Sequence, residues 1–146
     1  MLAKVRGYVL EVPAGWHAFT DEQRAALQNG VGPEHWDDEA RETLDKVTGL
    51  RAAADIHDVD YCLGLTSKDR KIADKRFFRN CLRIIRADVN GMLGLIVNGG
   101  FTKAFRRIVV ARTLYRALRT GGKKAFMASP KFVIDESGTP VPKAAG

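Results

Sequence analysis

A histidine, an aspartate beside it and a tyrosine four positions on stand together in Ala53-Ala54-Asp55-Ile56-His57-Asp58-Val59-Asp60-Tyr61. An imidazole with an unperturbed pKa near 6.5 serves as a general base at neutral pH, provided another group fixes its tautomer. On a helix, His57 and Tyr61 share a face, while Asp58 points about 100° away. A further acid, Asp74, follows in Ile72-Ala73-Asp74-Lys75-Arg76-Phe77, beyond a break at residues 64–67. If the two segments pack as an antiparallel helical hairpin, pairing His57 with Asp74 centres it in that break. Asp74 would then accept a proton from one ring nitrogen and leave the other free to act. The same register sets Cys62 opposite residues near Asp69. A bridge to Cys81, which needs Cα atoms within roughly 7 Å, is therefore not expected.

Asp58 needs a different role, because a buried carboxylate must be paired or hold a cation. Gln28-Asn29-Gly30-Val31-Gly32-Pro33 reads as a turn-rich loop, and its Gly30-Val31-Gly32 stretch would supply backbone carbonyl oxygens. A carboxylate with carbonyl oxygens is a hard-oxygen donor set of the kind calcium takes. Zinc finds no such set: His17, His35 and His57 lack ligand spacing, and the cysteines stand far apart.

These residues need helices to hold them. Thr20 predicts a cap for a helix over 21–27 that stops at Asn29-Gly30, with Asp21 and Glu22 in its first turn. Periodic apolar residues predict helices over 36–48 and 51–63, ended by Gly49 and Gly64. A fourth helix opens at Thr66 or Ser67 and runs towards Val97, with Phe77, Phe78, Cys81, Ile84 and Ile85 in its apolar stripe. Asn98-Gly99-Gly100 interrupts the chain. A basic amphipathic helix over 102–119 follows, ended by Gly121-Gly122. Residues 1–12 alternate loosely and read as a short strand or extended arm. Residues 135–146, with two prolines and little to bury, read as a disordered tail.

The length of 146 residues suits one domain, here 1–134, with a core over 28–97 and the basic helix over 102–119. Two cysteines exclude a dense disulfide framework, so helix packing must hold the chain. The formal charge of +7 draws it to anionic partners, either a phospholipid surface or nucleic acid. Residues 1–12 are too short and too mixed for a signal peptide, and 89–97 too short to span a bilayer, which leaves the compartment open.

Together, the glycine loop, the His-Asp-x-x-Tyr stretch and the later Ala-Asp-x-x-Phe stretch resemble the phospholipase A2 superfamily, most closely its cysteine-poor viral-capsid and bacterial or phage-type branches. The resemblance covers residues 28 to about 81. It implies an all-α fold: a phospholipase A2-like core of two antiparallel helices with a glycine-rich calcium loop, joined here by the basic C-terminal helix. It implies calcium-dependent hydrolysis of the sn-2 ester of glycerophospholipids, and the charge pattern of the basic helix from Lys103 to Arg119 would turn it to an anionic phospholipid surface. His57 would be the base, Asp74 its partner, and Tyr61 a hydrogen-bonding member of the network. Asp58 and the carbonyls of Gln28, Gly30 and Gly32 would bind calcium, with the Gly30 N–H at the oxyanion.

The chain also departs from that pattern. Ala53, Ala54 and Asp60 replace flanking cysteines, Pro33 stands where glycine or asparagine is common, and residues 34–50 form a longer insert than the capsid enzymes have. The alternative is a non-catalytic basic helical protein on the same scaffold, binding nucleic acid or serving as a structural or virion component. Residue by residue, His57 as a core histidine, Asp58 as a surface acid and Asp74 paired with Lys71 or Arg70 are the plain readings against which the site stands.

Overall fold

A computed structural model describes residues 1–28, 38–90 and 100–143. Within them the chain is mostly helical, with two small antiparallel sheets. In order, β1 (Leu2–Val5) and β2 (Tyr8–Glu11) pair as a hairpin, and a single 3₁₀ turn (Trp16–Ala18) leads to α1 (Asp21–Leu27). Then come α2 (Asp38–Thr48), α3 (Arg51–Leu63), α4 (Ser67–Asn90) and α5 (Gly100–Ala128). A second hairpin, β3 (Phe132–Ile134) with β4 (Pro140–Pro142), closes the described chain.

The helix starts follow local chemistry. The Thr20 hydroxyl accepts from the Gln23 N–H, and the Gln23 side chain accepts from the Thr20 N–H at 2.8 Å, a reciprocal cap that opens α1 where the sequence predicts it. Before α4, one Asp69 oxygen accepts from the Leu65 and Thr66 N–H groups and the Thr66 hydroxyl, while the Asp69 N–H donates back to Thr66. These bonds, led by the Thr66 hydroxyl, hold the Asp69 carboxyl below its usual range. Gly49 sits at φ +61°, the left-handed position that ends α2 and that a side chain resists.

α3 is the central element. Ala52, Ala53, Ala54, Ile56 and Val59 are all buried, so small and branched side chains let neighbours approach on several sides. α1 packs against it from one direction and α4 from another. α3 and α4 form an antiparallel hairpin: His57 faces Asp74 and Asp60 faces Arg76, pairs that straddle the turn at 64–66. α5 returns antiparallel along α4, with Tyr115 stacked on Phe78 at 5.2 Å and Arg107 bonded to Asp88 at 2.6 Å.

The expected all-α character holds in its coarse form, since the described chain is mostly helical with one small antiparallel hairpin near each end, and two other expectations need correction. The first turns at Arg6-Gly7, where Arg6 itself adopts φ +47°. That residue is held because its guanidinium meets the buried carboxylate of Asp55, which Arg51 also holds at 2.8 Å. The second hairpin occupies 132–142, so residues 135–143 are not a loose tail. Asp135 accepts from the Ser137 and Thr139 N–H groups to build its turn. Its prolines sit where the ladder asks for no donor: the flanking bonds come from the Asp135 and Lys143 N–H groups. Finally, the basic helix does not stop at Gly121-Gly122 but runs on to Ala128. The expected helix start at 36 and the expected run of α4 past 90 lie outside the described residues.

Candidate active site

The seam of the α3–α4 hairpin gathers the polar groups that the sequence singles out. Asp74 is completely buried on α4. One of its oxygens lies 3.2 Å from His57 Nε2 and accepts from the Tyr61 hydroxyl at 2.8 Å. Its other oxygen accepts from Arg119 Nη1 at 2.7 Å. His57 and Tyr61, one turn apart on α3, lie with ring centres 4.1 Å apart and planes tilted by 48°, and Phe77 meets the imidazole edge-on at 5.4 Å. Thus α3 supplies the ring and the phenol, α4 the acid and an apolar wall, and α5 the counter-cation.

Electrostatics fix the protonation pattern. Burial alone would push the Asp74 carboxyl up, but hydrogen bonds from His57, Arg119 and Tyr61 outweigh it and hold the group below the ordinary carboxylate range. Asp74 is therefore an acceptor only, and the proton on the facing imidazole nitrogen must sit on Nε2. The lone pair of the neutral ring is then on Nδ1, which is the condition for a base. Burial, followed by the bond to Asp74 and its charge, pushes the Tyr61 phenol far above its usual value, so it stays a donor throughout the neutral range.

The other assigned residues are placed less completely. Asp58 is half-buried on α3. Gln28 caps the C-terminus of α1 in an extended conformation, so its carbonyl lies outside the helix ladder. α1 packs against α3, the helix that carries Asp58. Gly30 and Gly32 lie outside the described residues. Among the described residues no three His, Cys, Asp or Glu side chains converge, so a cation there would need backbone oxygens as well. The donors in view, one carboxylate and one carbonyl, are hard oxygens and fit calcium in kind. Leu63 lines a groove of about 430 Å³ beside the hairpin turn, bounded by Pro13, Ile72, Arg76 and Ile134, and neither His57 nor Asp58 opens into it.

Cys62 and Cys81 are both buried free thiols, and burial pushes Cys62 up to about 11. Neither is poised as a nucleophile.

Sequence reasoning missed the contribution of α5. Arg119 reads as one more surface cation of a basic stripe. It instead turns inward to Asp74, while Arg112 and Arg116 stay exposed. Gly122 reads as a helix stop. It is a buried residue inside α5, and a Cβ there would lie 2.7 Å from the Tyr61 hydroxyl. Phe126 then packs edge-on against the Tyr61 ring at 5.1 Å. Lys131 ties the end of α5 to α3, donating to the Tyr61 and Phe126 carbonyls at 2.7 and 2.6 Å. The legible signal was a cluster of arginines with no acid on their own helix to pair with.

The two glycines give a paired prediction. Gly121→Ala meets open space in an exposed helix interior and should stabilise the protein by about 0.5–1 kcal/mol. Gly122→Ala gains the same helix preference but must push Tyr61 off Asp74, so its denaturation midpoint should fall below that of wild type. Equal midpoints for the two variants would contradict the close packing of Tyr61 on α5.

Compared with family models, with curated proteins and with solved structures, the chain matches none of them.

Proposed function

We propose that the chain is a calcium-dependent phospholipase A2-type esterase that releases the sn-2 fatty acid of glycerophospholipids. The observation that supports this best is the shared Asp74 oxygen, which takes the Tyr61 hydroxyl at 2.8 Å and faces His57 Nε2 at 3.2 Å inside a helical hairpin. A buried histidine in a merely structural role needs only one partner. Here an ionised carboxylate orients the ring, a phenol orients the carboxylate, and the tautomer leaves Nδ1 as an acceptor.

In this reading His57 Nδ1 takes a proton from water as the water oxygen bonds to the ester carbonyl carbon. Asp74 offsets the charge of the imidazolium that forms. The bond from the acyl carbon to the sn-2 oxygen then breaks, and His57 returns its proton to that oxygen. Lysophospholipid and fatty acid leave. Calcium, when bound by Asp58 and the carbonyls of Gln28, Gly30 and Gly32, would supply the Lewis acid and the anchor for the substrate phosphate. The Gly30 N–H would donate to the developing oxyanion.

The test is fatty-acid release from mixed phospholipid vesicles, run with calcium and again with a chelator. Release that the chelator abolishes is expected. A folded protein that releases nothing, or releases equally with chelator, would defeat the reading. The non-catalytic alternative, a basic protein of this fold that binds nucleic acid, draws its support from α5 alone and leaves the network around Asp74 without a purpose.

A further inference from the structure

α5 carries eight lysines and arginines and not one acid, so it more than accounts for the chain's formal charge of +7. Two of the eight turn inward, Arg107 to Asp88 and Arg119 to Asp74. The other six, Lys103, Arg106, Arg112, Arg116, Lys123 and Lys124, are exposed, and none makes an ion pair among the described residues. Helical spacing sets Arg112, Arg116 and Lys123 in one row along the outer side of the helix, with Arg106 and Lys124 beside it. Large apolar side chains stand in that same row. Phe105 is 59% exposed, Val109 47% and Met127 69%. From Phe105 to Met127 the row is about 33 Å long at 1.5 Å per residue.

Like charges this close repel one another, and the helix has no acids to relieve them. An isolated solvated face would not also leave a phenylalanine, a valine and a methionine in water at its ends. We propose that the outer face of α5 docks on an anionic phospholipid bilayer, its cations against headgroups and Phe105, Val109 and Met127 in the interfacial layer. Charge complementarity requires a polyanion, and the apolar side chains within the charged row favour lipid over a phosphate backbone. No helix among the described residues is long and apolar enough to cross a bilayer, so α5 would lie on the surface. The proposal deepens the esterase reading by naming the face that meets the lipid. Arg119, set by helical spacing between Arg116 and Lys123 at the flank of that row, turns away from it to hold Asp74.

The test requires no turnover. The full chain is sedimented with vesicles of non-hydrolysable ether lipids in chelator, either phosphatidylcholine alone or an equal mixture with phosphatidylglycerol. Binding to the anionic vesicles should be at least about tenfold tighter, and should weaken as salt rises. The Arg112→Glu, Arg116→Glu double variant should lose about tenfold or more with its circular dichroism unchanged. Phe105→Ser should weaken binding at high salt as well as low. Equal binding to both vesicles, or full binding by the folded double variant, would overturn the proposal. So would tighter binding to a single-stranded oligonucleotide that displaces the vesicles. Loss of esterase activity with vesicle binding intact would sink only the esterase reading.

Discussion

Asp74→Asn should lower ester hydrolysis by about 10³–10⁴-fold, mostly in kcat, while the protein still folds. The amide keeps the size of the carboxylate but not its acceptor-only character. If its oxygen still accepts from Tyr61 and His57, its NH₂ faces the Arg119 guanidinium, donor against donor. If it flips, the NH₂ faces the imidazole and drives the ring proton to Nδ1, the nitrogen that must stay bare. Either arrangement damages the base or its support. His57→Ala removes the base outright and sets the floor against which the asparagine variant is read. Asp74→Ala should cost about 3–5 kcal/mol in stability, because three donors lose a fully buried acceptor. The pH dependence follows from the lowered Asp74 carboxyl. A group whose folded pKa is depressed stabilises above its unfolded value, here about 3.9, and that contribution fades as pH falls through the folded pKa. The gap in melting temperature between wild type and Asp74→Asn should therefore be full at neutral pH and close in acid. A gap that stayed constant down to about pH 2 would show that folding does not lower the Asp74 carboxyl.

The hairpin was legible because two independent signals agreed. Apolar periodicity set α3 and α4, and the single break at 64–67 set their register, so the pairing of His57 with Asp74 followed from counting. The cap at Thr20 was legible for a similar reason, since the bonds that make it lie within four residues. Arg119 was not legible, because nothing on α5 says which of its arginines faces a buried acid on another helix. Gly121-Gly122 misled because propensity, a cost of about 1 kcal/mol per glycine, was weighed alone. Packing overrides it: Gly122 is the space into which Tyr61 fits. Pro140 and Pro142 misled in the same way. They argue against a strand only where the strand must donate, and an edge with alternating donors has places for them.

Asn80→Ala should destabilise the protein by about 3 kcal/mol, lowering Tm by roughly 6–12 °C at this chain length. Asn80 is completely buried on α4. Its side-chain oxygen accepts from the Glu11 N–H at 2.9 Å, and its NH₂ donates to the Glu11 carbonyl at 2.8 Å. Both groups of Glu11 point away from β1, and no further strand lies on that edge among the described residues. The amide thus does for Glu11 what a third strand would do. Arg79 and Arg83 also reach the Glu11 carboxylate, but both are about half exposed, so those pairs contribute little by themselves. Alanine would leave two backbone groups without partners and a void beneath β2. Aspartate separates these effects, because it fills the space and keeps the acceptor but cannot donate. Asn80→Asp should therefore lose stability at neutral pH and recover part of it in acid, once the carboxyl is protonated and can donate to the Glu11 carbonyl. Wild-type stability in Asn80→Ala would mean that the first hairpin is held by its apolar contacts alone. In that case Leu10 and Val12, both fully buried, would be the residues that dock it on α4.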